Sequence, residues 1–469
     1  MGSGDVSARK QKEGDIKMTD NNKTEKKLLC GAAVTDITPP ANLIKGMRGL
    51  EGSRFGGIHD ALKARAIALS NGKDRAVIIQ IDMDKDQAPE RVLPAIIGKW
   101  NLPEENILYF GIHTHSAPLF TGRHEFELRN PSDYERECTR QYETLVFEGI
   151  NKAVEGAFAN LKPAKAGCSR WNCYTNTNRV EDFTCFDEAG RETDTISTQG
   201  AAPGSPISHE MFVLRVNDMD DQPIAFLVNY PMHCVTMFRN HLAPDGTDLI
   251  TGDAGGNISR LLEKRYPGTA AVWSSGAAGN INPLVNSFGT YLDPETNELT
   301  DFILDGCGEK ILNYVVAEQF QAVMKALNSI RYYSDDGRIT GKISWSKTPG
   351  YKITPYEGTG WPTPTDDVEK EGFVIRVQML RVGDIMIIGM GGELFNSYAE
   401  ELKAISPLKN TVIINHNCSL ITNAGYILDD DAVERNYNIQ PKRPGRPTSI
   451  VPGYIKQSLD EILYQFFSC

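Results

Sequence analysis

The sequence lacks the long apolar segments that direct proteins to membranes. No run of about 18 apolar side chains occurs in it, so no transmembrane segment is predicted. Residues 1–28 are polar and lysine-rich, and they contain no apolar run of signal-peptide length. We therefore expect residues 1–28 to form a disordered N-terminal tail and the chain as written to be cytoplasmic.

Paired cysteines and an excess of positive charge are also missing. The 9 cysteines are scattered singly with no CxxC motif, a pattern typical of reduced thiols in a cytoplasm. The formal net charge of -12 argues against a nucleic-acid partner, because that binding depends mainly on Lys and Arg neutralising phosphates. The composition, 40% hydrophobic and 23% charged, indicates an ordinary globular protein.

Several motifs that identify a known chemistry are absent. Neither GxxxxGK[ST] nor GxGxxG occurs, so nucleotide binding is not predicted. The metalloprotease motif HExxH is missing, since His124 and Glu125 have no second histidine at the required spacing. No GxSxG motif is present, and the HxHxDH pattern of metallo-β-lactamases is not completed after His115. The sequence is therefore consistent with a hydrolytic chemistry of another kind, or with no hydrolytic activity.

Apolar periodicity predicts alternating strands and helices, which is typical of an α/β fold. Buried strands are expected at residues 76–83, 106–113, 224–230, 385–390 and 411–415. Helices are expected at residues 135–160, 256–265, 307–330 and 397–405. Two stretches rich in Thr, Gly, Pro and charge show no clear period, and we expect long irregular loops at residues 168–207 and 347–371.

Two histidines follow the second of these strands. If the strand persists through the sequence GIHTHSAP, His113 and His115 project from the same face. Such a pair suits a metal or catalytic site, because imidazole is the commonest metal ligand. The same pattern is equally consistent with two structural histidines held by hydrogen bonds. A metal or catalytic site therefore requires further candidate residues elsewhere in the chain.

Three further candidates follow other strands, each with an ordinary structural alternative. His233 is either a ligand or a satisfied core histidine. Glu393, at a Gly-Gly bend, is either a ligand or an acid that stabilises a helix N-terminus. Tyr426 is either a ligand or an amphipathic packing residue. Together with His113 they would suit a catalytic zinc ion, which keeps one coordination position open for water.

The order of short motifs along the chain resembles the neutral/alkaline non-lysosomal ceramidases. The resemblance extends over nearly everything from Leu29 onward, and it rests on GAAVTDITPP, GIHDALKARAIAL, GIHTHSAP, NYPMHCVTM, NHLAPDGTDLITGDAGG, GMGGELF and GYILDDDAVERNY. It implies mixed β-sheets flanked by helices, of the neutral-ceramidase catalytic-domain type, in a single zinc hydrolase domain over residues 29–469. No C-terminal β-sandwich domain is expected, because the chain stops at Cys469.

The resemblance also implies roles for individual residues. The Zn²⁺ ligands fall on His113, His233, Glu393 and Tyr426. His115 takes the place of the catalytic histidine, while Arg179 and Tyr437 match an NR motif and a second active-site tyrosine. The implied function is a zinc-dependent amidohydrolase of sphingolipid metabolism that cleaves an N-acyl, ceramide-like amide bond by a metal-activated water. The expected partner is thus a small-molecule N-acyl amide or lipid substrate.

One motif departs from the family pattern. Where ceramidases have a GDVSPN-like stretch, this chain has Asn280 and Asn282, so the acid and the serine that help bind a ceramide headgroup are absent. A soluble N-acylated amine is therefore a reasonable substrate. The alternatives are a zinc-dependent esterase or lactonase acting on a soluble small molecule, and a catalytically silent homologue that binds an acylated ligand. The sequence makes no prediction of oligomeric state.

Overall fold

Two β-sheets pack face to face between outer layers of helices. The computed structural model describes residues 26–85, 88–120, 130–354, 363–418, 425–439 and 448–467. This α-β-β-α arrangement confirms the predicted α/β class with mixed sheets flanked by helices. Among the described residues, no helix has the length and apolar character needed to cross a bilayer.

The strands are numbered in chain order. They are β1 (Leu29–Asp36), β2 (Phe55–Ile58), β3 (Lys63–Ser70), β4 (Arg75–Ile81), β5 (Ile107–Gly111), β6 (Lys162–Asn172), β7 (Asn176–Phe186), β8 (Glu192–Ala202), β9 (Glu210–Asp218), β10 (Pro223–Tyr230), β11 (Asp248–Ile250), β12 (Ala270–Ser275), β13 (Ile281–Pro283), β14 (Phe288–Leu292), β15 (Leu299–Ile303), β16 (Ile339–Ile353), β17 (Pro364–Val382), β18 (Ile385–Met390), β19 (Glu393–Leu394), β20 (Asn410–Ile414) and β21 (Tyr426–Ile427).

The larger sheet has eight strands in the order β12-β10-β9-β6-β1-β3-β4-β5, and the smaller has four in the order β16-β17-β18-β20. Both sheets are mixed. Strands β4 and β5, β10 and β12, and β18 and β20 pair in parallel, whereas the other pairs within these two sheets are antiparallel. Small sheets join β2 to β11, β7 to β8 and β13, β14 to β15, and β19 to β21.

The core between the sheets explains the continuous apolar run of β4. Ile78 and Phe110 from the larger sheet pack with Leu380 and Ile387 from the smaller one, and each is at most 1% exposed. The alternate residues of β4, such as Ile79, point to the other face and pack under helices. Because both faces of this strand are buried, its sequence shows no polar alternation.

Helices cover the outer faces of both sheets. They are α1 (Pro89–Trp100), α2 (Asp133–Ala159), α3 (Asp253–Arg265), α4 (Gly308–Ser329), α5 (Asn396–Ile405), α6 (Asp430–Glu434) and α7 (Ile455–Phe467), with 3₁₀ turns at Ile44–Gly46, Leu50–Gly52 and Glu104–Asn106. Helix α2 packs on β1 and β3, helices α3 and α4 pack on the β9–β12 side, and α5 and α7 pack on the smaller sheet. The predicted helices 135–160, 256–265, 307–330 and 397–405 match α2 to α5.

Two predictions of irregular loops were wrong. Residues 168–207 contain β7, β8 and the last part of β6. Residues 347–371 lie largely in the hairpin of β16 and β17, apart from residues 355–362, which fall outside the described residues. The first half of β17 and much of β8 are exposed. A strand that is exposed to solvent on both faces has no buried side, so its sequence does not alternate between apolar and polar residues.

The N-terminal boundary predicted at Leu29 lies close to the first described strand. Leu28 is already 1% exposed within the core between the sheets, and Lys27 forms an isolated bridge with Asp336. The rest of the predicted tail, residues 1–25, lies outside the described residues. The single-domain prediction for residues 29–469 stays a prediction.

Candidate metal centre

The ends of strands from both sheets meet around one point. Beyond the end of β5, Thr114 forms a parallel bridge with Cys234, which follows β10. This bridge makes His113 and His233 neighbours. Phe110 of β5 bridges Asn417 just after β20, which joins the larger sheet to the end of the smaller one.

His113 is oriented by a turn and not by a strand. Strand β5 ends at Gly111, and His113 has a φ of +61°, in the left-handed region. The strand thus does not persist through the motif, which was the condition for strand alternation to align His113 with His115. The two rings still meet, edge to face, with their centroids 4.6 Å apart and their Nε2 atoms 3.2 Å apart. On its other side, Nδ1 of His113 contacts Oδ1 of Asp84.

The tautomer of His233 is set by the backbone. Its Nδ1–H donates to the carbonyl of Ile281 at 2.9 Å, because a carbonyl oxygen only accepts. The lone pair of the ring therefore lies on Nε2. Burial lowers the pKa of His233 to about 3, and the Arg179 guanidinium adds to that effect. The imidazole is neutral at physiological pH, which is the form that binds metals.

Glu393 and Tyr426 are brought together by the short parallel strands β19 and β21, in which they are direct partners. Oε2 of Glu393 lies 3.1 Å from Nε2 of His233 and 3.4 Å from Nε2 of His113. The Tyr426 hydroxyl is 3.4 Å from Nε2 of His233. A glycine is required next to them, because a Cβ on Gly279 would collide with the Glu393 carbonyl oxygen.

This donor set fits a divalent metal ion. Nδ1 of His233 donates to a backbone carbonyl and Nδ1 of His113 faces the Asp84 carboxylate, so the Nε2 atoms of both rings are the ones that face the Glu393 carboxylate. Nitrogen and oxygen acceptors at such distances repel one another unless a proton or a cation lies between them. One ring nitrogen from each of His113, His115 and His233 lies within 4.8 Å of the other two. A central cation would convert this repulsion into coordination.

Arg179, on β7, points its guanidinium at the same cluster. Its Nη2 and Nε donate to the carbonyl of Gly279 at 2.6 and 3.2 Å, and its Nη1 donates to Asn282 Oδ1 at 3.3 Å. The guanidinium carbon lies 5.2 Å from the centre of the Tyr426 ring, and Nη2 is 3.4 Å from Nε2 of His233. Asn282, one of the two departures from the family pattern, thus helps orient this arginine.

His115 and Tyr437 complete the set predicted from the sequence. The His115 ring packs edge to face on Phe238 at 5.1 Å, and its Nδ1 has no hydrogen-bond partner among the described residues. Burial and the neighbouring His113 lower the pKa of His115 well below its usual value. Tyr437 is fully buried, and burial raises its pKa to about 12, although Arg179 opposes the rise.

All seven predicted residues therefore converge in one region. They are His113, His115, Arg179, His233, Glu393, Tyr426 and Tyr437. The part of the Tyr426 motif at residues 422–424 lies outside the described residues. The roles of the seven as ligands or catalytic groups stay predictions.

Three residues of the cluster were missed by the sequence analysis. Asp84 and Lys85 follow β4, where Asp84 contacts His113 and the Lys85 ammonium contacts Oε1 of Glu393. His416 follows β20, and its ring stacks on His113 with the centroids 4.0 Å apart. Their signal was available, since each stands just beyond a strand that was predicted.

His416 is better placed to support His113 than to share an ion with it. Its ring nitrogens lie within reach of the His113 and Glu393 ligand atoms, all within 4.8 Å. However, its ring plane is only 26° from that of His113. Ligand lone pairs lie in the ring plane, so two nearly parallel stacked rings do not aim at one ion.

The fold and this cluster define an α/β sandwich with a histidine and carboxylate centre at its strand ends. Residues 28–291 match the family described as neutral/alkaline non-lysosomal ceramidase, N-terminal. The chain belongs to this family. The matched region contains His113, His115, Arg179 and His233, whereas Glu393, Tyr426 and Tyr437 lie beyond it.

Two curated relatives come from Dictyostelium discoideum. Neutral ceramidase B is 30% identical over 271 residues, and neutral ceramidase A is 28% identical over 288 residues. These alignments cover 54% and 59% of this chain but only 35% and 36% of the relatives. The aligned region thus represents about a third of each relative's length.

Solved ceramidase structures share the fold. Neutral ceramidase from Pseudomonas aeruginosa superimposes with a TM-score of 0.62 over 87% of this chain and 69% of that chain, at 16% identity. A ceramidase complexed with C2 gives a TM-score of 0.64 over 93% of this chain and 74% of the other, also at 16% identity. At this identity the likeness establishes the architecture alone.

Proposed function

We propose that this chain is a zinc-dependent amidohydrolase that cleaves the N-acyl amide bond of a ceramide-like or other acylated amine. The observation that carries the proposal is the convergence of His113 and His233 on Glu393, with both Nδ1 atoms held by other acceptors. Together with Tyr426 these residues would hold the ion. Two neutral imidazoles, a carboxylate and a phenol are hard and borderline donors of the kind that zinc binds.

The bound ion would supply an activated water for attack on the amide carbonyl. Arg179 is suited to bind the substrate carbonyl oxygen and to stabilise the negative charge that develops on it. Its guanidinium is already fixed by Gly279 and Asn282, so little reorganisation is needed during the reaction. Tyr437 would donate a hydrogen bond from its hydroxyl to the same oxygen, because burial keeps the phenol protonated.

His115 would move the proton that amide cleavage requires. Its low pKa means that the imidazole is neutral in the resting site, so it accepts a proton first and then gives it to the leaving nitrogen. Its Nε2 faces the cluster, 3.2 Å from Nε2 of His113. An amine is a poor leaving group unless it is protonated, and so this step matters more for amides than for esters.

Asn280 and Asn282 support a substrate broader than ceramide. Asn282 is occupied with Arg179, while the Asn280 side chain accepts from the backbone N–H of Asn396 at 2.9 Å. Both side chains are thus already hydrogen-bonded to other groups of the protein. We further propose that residues 29–469 act as one domain, which is supported by the core that the two sheets share.

The proposal is tested by a mass-spectrometric screen of purified protein. The protein is stripped with a chelator, reloaded with zinc, and offered ceramides and soluble N-acyl amines of varied acyl length. We expect a free acid and a free amine from at least one substrate class, in the zinc-loaded sample only. Matched esters in the same panel test for an esterase or lactonase.

The control is the His241→Ala variant, which removes a half-exposed histidine paired with Asp305. It should cleave like the unmodified protein. Full zinc occupancy without cleavage of any amide or ester would overturn the enzyme assignment and favour a protein that binds an acylated ligand.

A further inference from the structure

Lys85 contacts two of the four predicted ligands. Its ammonium contacts Oε1 of Glu393, and Nζ lies 5.5 Å from the centre of the Tyr426 ring. The side chain reaches the site from the end of β4, and it is 25% exposed. Nothing in the family match assigns a role to this position.

The two oxygens of Glu393 have different partners. Oε1 is engaged by Lys85, whereas Oε2 lies 3.1 Å from Nε2 of His233 and 3.4 Å from Nε2 of His113. Glu393 is fully buried, so neither oxygen exchanges its partner for bulk water. The carboxylate therefore presents one face to a lysine and the other to the metal centre.

We propose that Lys85 is a positioning residue that holds Oε1 of Glu393, so that the carboxylate gives the metal one oxygen and not two. The proposal rests on the proposed function, in which Glu393 is a ligand. A charge-assisted hydrogen bond to one carboxylate oxygen withdraws its lone pair and keeps the group from rotating. Groups that orient a metal ligand in this way affect both affinity and activity.

The consequence concerns the open coordination position. Catalytic zinc sites combine protein ligands with one position left for water or substrate. With His113, His233, Tyr426 and one oxygen of Glu393 as donors, a second oxygen from Glu393 would occupy the space that the reaction needs. Lys85 thus keeps the centre accessible while adding a positive charge beside it.

The electrostatics of the site agree with this role. Glu393 is fully buried, and the Lys85 ammonium is the charged group that contacts its Oε1. Removing the ammonium would leave Oε1 buried without its charged partner, which is costly unless the metal takes its place. A cation a few ångströms from a divalent ion also repels it.

The test compares Lys85→Met and Lys85→Arg in the full chain, with cobalt(II) as the probe. The visible bands of protein-bound cobalt weaken when an additional ligand joins the coordination shell. We expect the Lys85→Met variant to show weaker bands and to bind cobalt about tenfold or more tightly. Its kcat should fall by a larger factor than its KM changes. Lys85→Arg should retain the original spectrum, because it keeps the charge and the donors.

Lys99→Met is the matched control. Lys99 also pairs with a carboxylate, Glu155 at 3.2 Å, and lies over an aromatic ring, that of Trp100 at 5.6 Å, but on α1. Its removal should leave the cobalt spectrum unchanged. If Lys85→Met does not fold, Lys85→Gln is measured instead by the same spectrum.

The outcomes separate this proposal from the proposed function. An unchanged cobalt spectrum in Lys85→Met, or a loss of cobalt binding, would overturn the role of Lys85. The Glu393→Gln variant tests the underlying assignment. If its cobalt affinity and spectrum match those of the unmodified protein, Glu393 is not a ligand and the proposed metal centre fails.

Discussion

Glu393 and Tyr426 are direct partners in the two-residue parallel strands β19 and β21, although 33 positions separate them in the chain (426 − 393). This pairing brings a carboxylate and a phenol to the same side of the cluster. It also places the Tyr426 ring near two cations, with Arg179 at 5.2 Å and Lys85 at 5.5 Å from its centre. The backbone register of β19 and β21 therefore determines which oxygens reach the site.

Removing the Tyr426 hydroxyl should weaken metal binding without disturbing this packing. In Tyr426→Phe the ring and its cation contacts remain, but one oxygen donor is lost. We expect zinc affinity to fall about tenfold or more, measured by competition with a chromophoric chelator. Tyr398→Phe, a change of another buried tyrosine on α5, is the control and should bind zinc normally. Equal affinity in the two variants would mean that Tyr426 is a packing residue.

His113→Ala should lose both zinc and turnover. The ring supplies an Nε2 atom as a metal ligand, and its Nδ1 contacts the Asp84 carboxylate. Its removal therefore also leaves a buried carboxylate without that partner. Zinc content is measured by inductively coupled plasma mass spectrometry, with His241→Ala as the control. Retained activity with a full metal complement would remove His113 from the ligand set.

His115→Ala should separate amide from ester cleavage. Loss of a proton donor is expected to lower kcat/KM for an amide by about 10²–10⁴-fold, because the amine leaving group needs protonation. A matched ester should be affected much less, and zinc content should be unchanged. An equal loss for both substrates would indicate that His115 orients its neighbours and does not transfer the proton.

Arg179→Lys should lower kcat with a small effect on KM. Lysine keeps the positive charge but lacks the planar guanidinium that donates to the Gly279 carbonyl and to the Asn282 side chain at the same time. We expect a loss of about 10²–10³-fold in kcat, as for other oxyanion donors. Asn282→Ala should cause a smaller loss in the same direction, since Arg179 keeps its bonds to Gly279. An unchanged kcat in Arg179→Lys would exclude a role in charge stabilisation.

Glu135 should make stability depend on pH at the acidic end. Burial opposes its ionisation, but Arg48 and Ser132 hold its pKa at about 2, below its ordinary value of 4.5. A lowered pKa means that the contribution is complete above pH 4.5 and is lost as the pH falls through about 2. In Glu135→Gln the helix cap is retained, while the ion pair with Arg48 at 2.8 Å is lost.

Urea denaturation should therefore show a pH-dependent difference between Glu135→Gln and the unmodified protein. We expect the variant to be about 2 kcal/mol less stable near neutral pH. The difference should shrink at about pH 3. Glu148→Gln is the control, since Glu148 is an exposed residue on the same helix. A difference that is constant with pH would rule out the ion pair as its source.

The sequence predicted five of the buried strands, β4, β5, β10, β18 and β20, and the helices α2 to α5, because their apolar patterns are strong. Residues 385–390 form β18 as predicted, and the predicted helix at residues 135–160 differs from α2 by a few residues. Strands β7, β8 and the start of β17 were not predicted. They carry polar residues on exposed faces, so their conformation depends on pairing with strands that local sequence does not specify.

For the site, local sequence located the candidates, but the tertiary fold determined their geometry. His113 could be identified as following a strand, whereas its left-handed backbone and its contact with Asp84 depend on the turn after β5. Lys85 and His416 each follow a predicted strand, but that position alone does not identify a lysine or a histidine as part of a site. Only their distances to Glu393 and His113 distinguish them from ordinary surface or core residues.

The amino-acid sequence by itself determined the α/β class, the family and the residue types available for a metal centre, because these follow from periodicity and from short contiguous motifs. The tertiary structure alone decided which atoms of those residues face one another. Glu393 meets Lys85 across 308 positions and His233 across 160, and contacts at such separations depend on the packing of two whole sheets.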